Sequence, residues 1–195
     1  LTDDAIMAMT YGFLVWFCEK TGKSADEITV SVGHDSRISA ERIKNAVISV
    51  LVSSGVKVLD CSLASTPSMF MTTVVKGCDA AIQITASHHP FNRNGLKFFT
   101  REGGVSGSDI TAMLENAEQG KTVPSVKGTV ERIDFMSEYS KILREIIIRE
   151  TGDEKPLKGL KIIVDAGNGA GGFYAYQVLE PLGADITGSQ FLEPD

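Results

Sequence analysis

Residues 28–60, "ITVSVGHDSRISAERIKNAVISVLVSSGVKVLD", decide the fold. "ITVSV" (28–32) is short, apolar and β-branched, which predicts a buried strand. Ile43, Ala46, Val47, Val50 and Leu51 then recur at helical spacing, so 39–55 predicts an amphipathic helix capped at Gly55. "VKVLD" (56–60) is a second strand. Strand, helix and strand in succession are an α/β unit with a largely parallel sheet.

The flanks extend the pattern. Upstream, Ala5 to Cys18 ("AIMAMTYGFLVWFC") carries no charge, yet falls short of the roughly 18–20 residues that span a bilayer. Asp3 and Asp4 precede it where a signal peptide would be basic. A mostly buried helix with Thr2 as N-cap and a stop near Gly22 fits instead, with no membrane anchor. Downstream, "TPSMFMTTVVKG" predicts a helix with Thr66 at its N-cap and Pro67 at its first position. "AAIQIT" (80–85) is a third strand and "GLKFF" (95–99) a fourth. The turn between them is short enough for a hairpin-like reversal. The expected class is therefore α/β, with a mixed, mostly parallel sheet and flanking helices.

Beyond Thr100 the texture changes. A short helix is predicted over 109–120, a polar stretch with little core-forming material over 121–130, and a helix over 134–150. A second strand–helix–strand pattern follows in "LKIIVDAGNGAGG", "FYAYQVLEPLG" and "ADIT". Two strands cannot close a domain, so the expectation is a first domain over 1–132 and the incomplete start of a second, similar one over 133–195.

The chain has 195 residues, 43% hydrophobic and 23% charged, with formal net charge −6. That balance speaks against a nucleic-acid partner. Cys18, Cys61 and Cys78 are odd in number, widely spaced and without a CxxC pair. They read as reduced, buried thiols of a cytoplasmic protein, with a catalytic thiol as the alternative.

Two turns could carry chemistry. "GNGAGG" (167–172) matches G-x-G-x-x-G between a strand and a helix, the dinucleotide fingerprint of an NAD(P)-dependent oxidoreductase. Asp165 and Ala166 intervene after the strand, however, and a carboxylate beside a pyrophosphate is repulsive. A structural glycine turn is the preferred reading. The second turn is "TASHHPFNRNGLKFF" (85–99). Ser87 lies just past a buried strand, where α/β folds present ligands. The G-x-S-x-G of serine hydrolases is absent, and Ser87 and His88 are chain neighbours whose side chains tend to diverge. Arg37, Lys97 and the backbone amides of a Gly/Asn-rich turn suit phosphate.

"TASHHP…NGLK", preceded by "GHDSR" and followed by "VDAGNGAGG", resembles the α-D-phosphohexomutases, the phosphoglucomutase and phosphomannomutase family. The resemblance runs from about residue 28 to the end of the chain. It implies that Ser87 carries a phosphoryl group, that this phosphate is one ligand of a single Mg²⁺, and that His88 lies beside it. It further implies that Lys97 assists proton transfer and that Arg37 steadies the phosphoserine. The implied substrate is a phosphorylated hexose, interconverted between its 1- and 6-phosphates, with hexose 1,6-bisphosphate as activator. A non-catalytic phosphosugar-binding protein is the rival. His34 stands where many members carry arginine, and a structural or electrostatic role is expected for it. His89 replaces the family's usual asparagine; it is expected to shape the turn while Ser87 and His88 face the cleft. The family's D-G-D-G-D-R metal loop, its G-E-x-S-G-H sugar loop and its N-terminal G-T-[SD]-G-x-R segment do not occur. The expectation is thus an N-terminal fragment, with the other metal ligands outside it.

Overall fold

A computed structural model describes residues 1–195, beginning with the expected opening helix, α1 (Asp3–Thr21). The Thr2 hydroxyl accepts from the Ala5 amide, Asp3 and Asp4 sit in the first turn, and Gly22 closes the helix in the left-handed region. β1 (Thr29–His34), α2 (Ala40–Ser53) and β2 (Lys57–Leu63) realise the deciding stretch, the two strands pairing in parallel. Ser54 is the helix cap here, and Gly55 follows it with φ 97°.

α3 (Thr66–Val75) is capped one residue earlier than expected: the Ser65 hydroxyl accepts from the Ser68 amide, and Pro67 stays in the first turn. β3 (Ala80–Ile84) pairs in parallel with β1, and β4 (Leu96–Thr100) runs back antiparallel to β3, as the short turn predicts. β5 (Gly103–Gly104) adds to β4. α4 (Gly107–Glu118) starts two residues before the predicted helix, because Ser106 and Asp109 form a capping box. The stretch read as polar filler ends in β6 (Thr129–Arg132), parallel to β2. All four of its residues are exposed, so an edge strand leaves no apolar alternation to read. α5 (Phe135–Thr151) follows, capped by Asp134.

The sheet order is β5-β4-β3-β1-β2-β6. Against one face, Phe13 and Leu14 of α1, Ile43 and Leu51 of α2 and Met113 of α4 close over Val30, Val32, Ile82 and Ile84. Phe13 stacks on Phe98 with ring centroids 4.8 Å apart. On the other, Met69 of α3 and Phe135 and Tyr139 of α5 cover Ala81 and Phe99. The helix following residue 132 is therefore packed on the first sheet.

The later strand–helix–strand pattern is present in reduced form. Lys161–Asp185 and Asp165–Gln190 form isolated parallel bridges around a π-helical turn at Ala175–Leu179. The second segment carries one residue more between the bridges than the first, so no continuous ladder forms. A two-stranded pair with no further neighbour is weakly held in any case.

At Gly12, α1 meets α4 closely. A Cβ there would lie 2.2 Å from the Met113 carbonyl oxygen. Gly12→Ala is expected to destabilise the protein by about 2 kcal/mol. Thermal unfolding followed by circular dichroism would show it, and an unchanged midpoint would contradict the packing.

Candidate functional site around Ser87

From β1 the chain crosses to β2 on one side, while β3 lies on the other. The carboxyl ends of β1 and β3 thus border a switch-point crevice, where open α/β sheets take ligands. The two ends are tied together by the Asp35 amide, which donates to the Ile84 carbonyl at 3.1 Å. The Asp35 carboxylate accepts the Thr85 hydroxyl at 2.7 Å and Arg37 Nε at 2.9 Å. Thr85 Oγ1 in turn accepts the Ser87 amide at 3.0 Å. The His89 amide donates to the Ala86 carbonyl at 3.1 Å, making a turn with Ser87 and His88 at its centre. Ser87 has φ 54°, the left-handed region that a non-glycine residue enters at a cost of about 1–2 kcal/mol.

Arg37 is what holds that strained loop. Besides Asp35, its guanidinium donates to the carbonyls of Ser87 (2.6 Å), His89 (2.9 Å), Pro90 (2.6 Å) and Arg93 (3.1 Å). Only 8% of its side chain is exposed. In this structure the Arg37 fork meets backbone carbonyls of the loop. The loop turns its carbonyls inward, where they need donors, and they occupy the fork. Arg37 steadies Ser87 through its backbone.

Ser87, His89, Asn94 and Lys97 line a hollow of about 390 Å³, together with Thr66 and Thr85. Lys97 is exposed there, across the strand pair from Gln83. His88 is not in its lining; His88 Nδ1 lies 3.4 Å from Ser87 Oγ, and its ring stacks on His89 with centroids 4.9 Å apart. Both histidines are exposed at the turn: the His89 side chain borders the hollow while its amide closes the turn, and His88 sits against the Ser87 hydroxyl. The Ala86–His89 turn brings residue 89 back over residue 86, on the side of Ser87. His34 is buried and turned toward α2: Nδ1 meets the Asp35 carbonyl at 2.7 Å and Nε2 meets Glu41 at 3.2 Å. Buried Lys44 also pairs with Glu41 and with Asp60, and Lys44 foremost, then His34, holds the Glu41 carboxyl below its ordinary range. Asp35 and Thr85, which set the loop, were not among the candidates. Their signal is a hydroxyl two residues before Ser87 and a carboxylate two before Arg37.

Burial pushes the Cys61 thiol up to about 12 and raises that of Cys78 as well. A raised thiol pKa leaves little thiolate at neutral pH, which argues against a nucleophilic role for either. In "GNGAGG", the Asp165 carboxylate accepts the Gly167 amide at 3.0 Å, occupying a donor a pyrophosphate would need. Gly172 packs directly on the Leu192 backbone, so the turn does structural work. The donors near Ser87 do not fit Mg²⁺ by themselves: no cluster of three acidic, histidine or cysteine ligands exists, and the Asp35 carboxylate is engaged. A hard dication wants about six oxygens.

The family model described as "Phosphoglucomutase/phosphomannomutase, alpha/beta/alpha domain I" matches residues 1–122. A phosphoglucosamine mutase of Lactobacillus delbrueckii subsp. bulgaricus is 30% identical over 172 residues, covering 86% of this chain and 38% of that protein. A phosphomannomutase/phosphoglucomutase of Pseudomonas putida is 32% identical over 160 residues, covering 82% of this chain and 33% of its own. The crystal structure of a phosphoglucomutase/phosphomannomutase family protein from Burkholderia thailandensis superposes with TM-score 0.83 at 25% identity, over 100% of this chain and 41% of that one. The parafusin (phosphoglucomutase) of Paramecium shares the fold, with TM-score 0.74 at 16% identity over 97% of this chain and 40% of its own. The chain therefore spans under half the length of these relatives. No helix is long and apolar enough to cross a membrane.

Proposed function

We infer the function from a premise the matched residues establish: the chain belongs to the phosphoglucomutase/phosphomannomutase family. We propose that it carries the phosphoryl-bearing serine of a cytoplasmic hexose-phosphate mutase. Residues 1–132 carry the serine-bearing domain, α5 packs on its sheet, and the strand–helix–strand pattern that follows α5 opens the next domain. The observation that carries this reading is the Ser87 turn itself. It is a strained serine, clamped through its backbone by Asp35, Thr85 and Arg37, its hydroxyl beside a hollow that holds Lys97.

In the proposed reaction, phospho-Ser87 gives its phosphoryl group to the free hydroxyl of a hexose phosphate. The P–Oγ bond breaks, a P–O bond to the sugar forms, and the hydroxyl proton passes to a base. The bisphosphorylated sugar then reorients and returns its other phosphate to Ser87. Catalysis of this kind rests on positioning and charge neutralisation, and the Ser87 clamp is a positioning device. Lys97 supplies charge to the transferring phosphoryl group and is the candidate for the proton, with His88 in contact with Oγ. The phosphate on Ser87 would be this chain's own contribution to a Mg²⁺ site, the remaining ligands coming from elsewhere in a longer protein. When bound there, Mg²⁺ would supply neutralisation of the phosphoryl charge. Hexose 1,6-bisphosphate is the activator that loads Ser87. Glucose and mannose phosphates are the proposed substrates, and the name of the Lactobacillus relative adds glucosamine phosphate to the set to be assayed. The test is turnover of these 1-phosphates by a longer protein containing this chain. Absence of turnover with all three, in a folded protein supplied with Mg²⁺ and bisphosphate, would overturn the reading.

Lys97→Ala should slow that turnover by a factor on the order of 10², as for a group acting in proton transfer. Lys97→Arg should restore it only in part, since a guanidinium keeps its proton. Full activity in Lys97→Arg would reduce Lys97 to an electrostatic support.

A further inference from the structure

We propose that the glycine turn at 167–169 is a positioning element for the Ser87 loop, acting through Ser36; the proposal rests on Ser87 being the reactive serine. The Ser36 hydroxyl donates to the Asn168 carbonyl at 3.1 Å. Ser36 stands between the loop's two clamps. On one side Asp35 holds Thr85 and, through it, the Ser87 amide; on the other Arg37 holds the loop carbonyls. One hydrogen bond therefore reaches both clamps, each through a single residue of chain.

The far side of that bond is tied down by several hydrogen bonds. Gly167 and Asn168 both lie in the left-handed region, with φ 54° and 55°. Glycine takes this conformation freely and asparagine better than most residues, but a non-glycine residue stays there only where its surroundings fix it. Here they do. The Asn168 amide donates to the Phe191 carbonyl at 2.8 Å and its side-chain amide to the Glu193 carbonyl at 2.7 Å. Asp165 accepts the Gly167 amide at 3.0 Å and the Gln190 side chain at 3.1 Å. The Asp195 amide shares the Asn168 carbonyl at 3.0 Å. The strain is thus spent on aiming one carbonyl at the Asp35–Arg37 turn. The motif that resembles a dinucleotide fingerprint becomes a rest against which the serine loop is set.

Hydrogen exchange of the 195-residue chain, read by mass spectrometry over residues 85–95, tests this directly. The reporting amides are those of Thr85, Ser87, His89 and Arg93, each hydrogen-bonded within the loop. Ser36→Ala should raise their exchange about fivefold, the factor that matches one ordinary hydrogen bond. Ser36→Thr keeps the hydroxyl and should restore the wild-type rate. Asn168→Ala, which penalises the left-handed turn, should loosen the same amides, and Asn168→Gly should loosen them less. In a longer, active protein, Ser36→Ala should lower kcat by a similar factor with KM nearly unchanged. Exchange over 85–95 equal to wild type in Ser36→Ala, or Ser36→Thr as loose as Ser36→Ala, would overturn the proposal. Phosphorylation of Ser87 is measured separately, so its absence would leave the exchange result standing, and unchanged exchange would remove the positioning role alone.

Discussion

Ser87→Ala in a longer protein containing this chain should abolish the proposed mutase turnover and leave the fold intact. Alanine has no oxygen to carry a phosphoryl group, so neither half of the proposed transfer can occur. The fold should not notice, because the Ser87 side chain is exposed and its hydrogen bond to His88 is a long 3.4 Å. The loop is held through the Ser87 amide and carbonyl, which alanine keeps. Left-handed φ is a burden that serine and alanine share. Ser87→Gly separates the hydroxyl from the backbone: it relieves the strain, still lacks the oxygen, and should be equally inactive. Steady-state assays with hexose 1-phosphates, beside an unfolding curve, check both variants. Appreciable turnover in either one contradicts the role given to Ser87.

Arg37→Ala should cost on the order of 10³ in kcat, even though Arg37 does not line the hollow. Its removal leaves the carbonyls of Ser87, His89, Pro90 and Arg93 without their shared donor and Asp35 without its cation. Breaking a fully buried ion pair from one side costs about 3–5 kcal/mol; this pair is part-buried, but four carbonyls lose their donor with it, and about 4 kcal/mol is three decades of rate at 1.36 kcal/mol per decade. Most of that falls on the loop, because the sheet beneath is packed independently of Arg37. Arg37→Lys should recover little: one ammonium cannot face Asp35 and four carbonyls at once. A lysine variant with wild-type kcat would show that charge alone is needed.

The order of strands and helices was legible because its signals are local. β-branched runs of five or six residues and the spacing of Ile43, Val47, Val50 and Leu51 do not depend on distant partners. The α3 cap slipped by one because Ser65 and Thr66 are both capping residues, and only the approach of the chain from β2 selects between them. β6 left no trace, since a four-residue edge strand with every side chain exposed has no apolar period. In the site, the motif around Ser87 and Lys97 could be read directly. The use of Arg37 could not, because it follows from which carbonyls the folded loop turns inward. The left-handed φ of Ser87 was likewise not legible, being a conformation no propensity assigns to serine.

Phosphoryl-group tracking tests the central claim most directly. A longer protein containing this chain is loaded with labelled hexose 1,6-bisphosphate, and the peptide containing Ser87 is analysed by mass spectrometry before and after unlabelled hexose 1-phosphate is added. The account predicts label on Ser87 after loading and its transfer to the sugar within a single turnover. A protein that turns over hexose phosphates while Ser87 stays unlabelled throughout would contradict it.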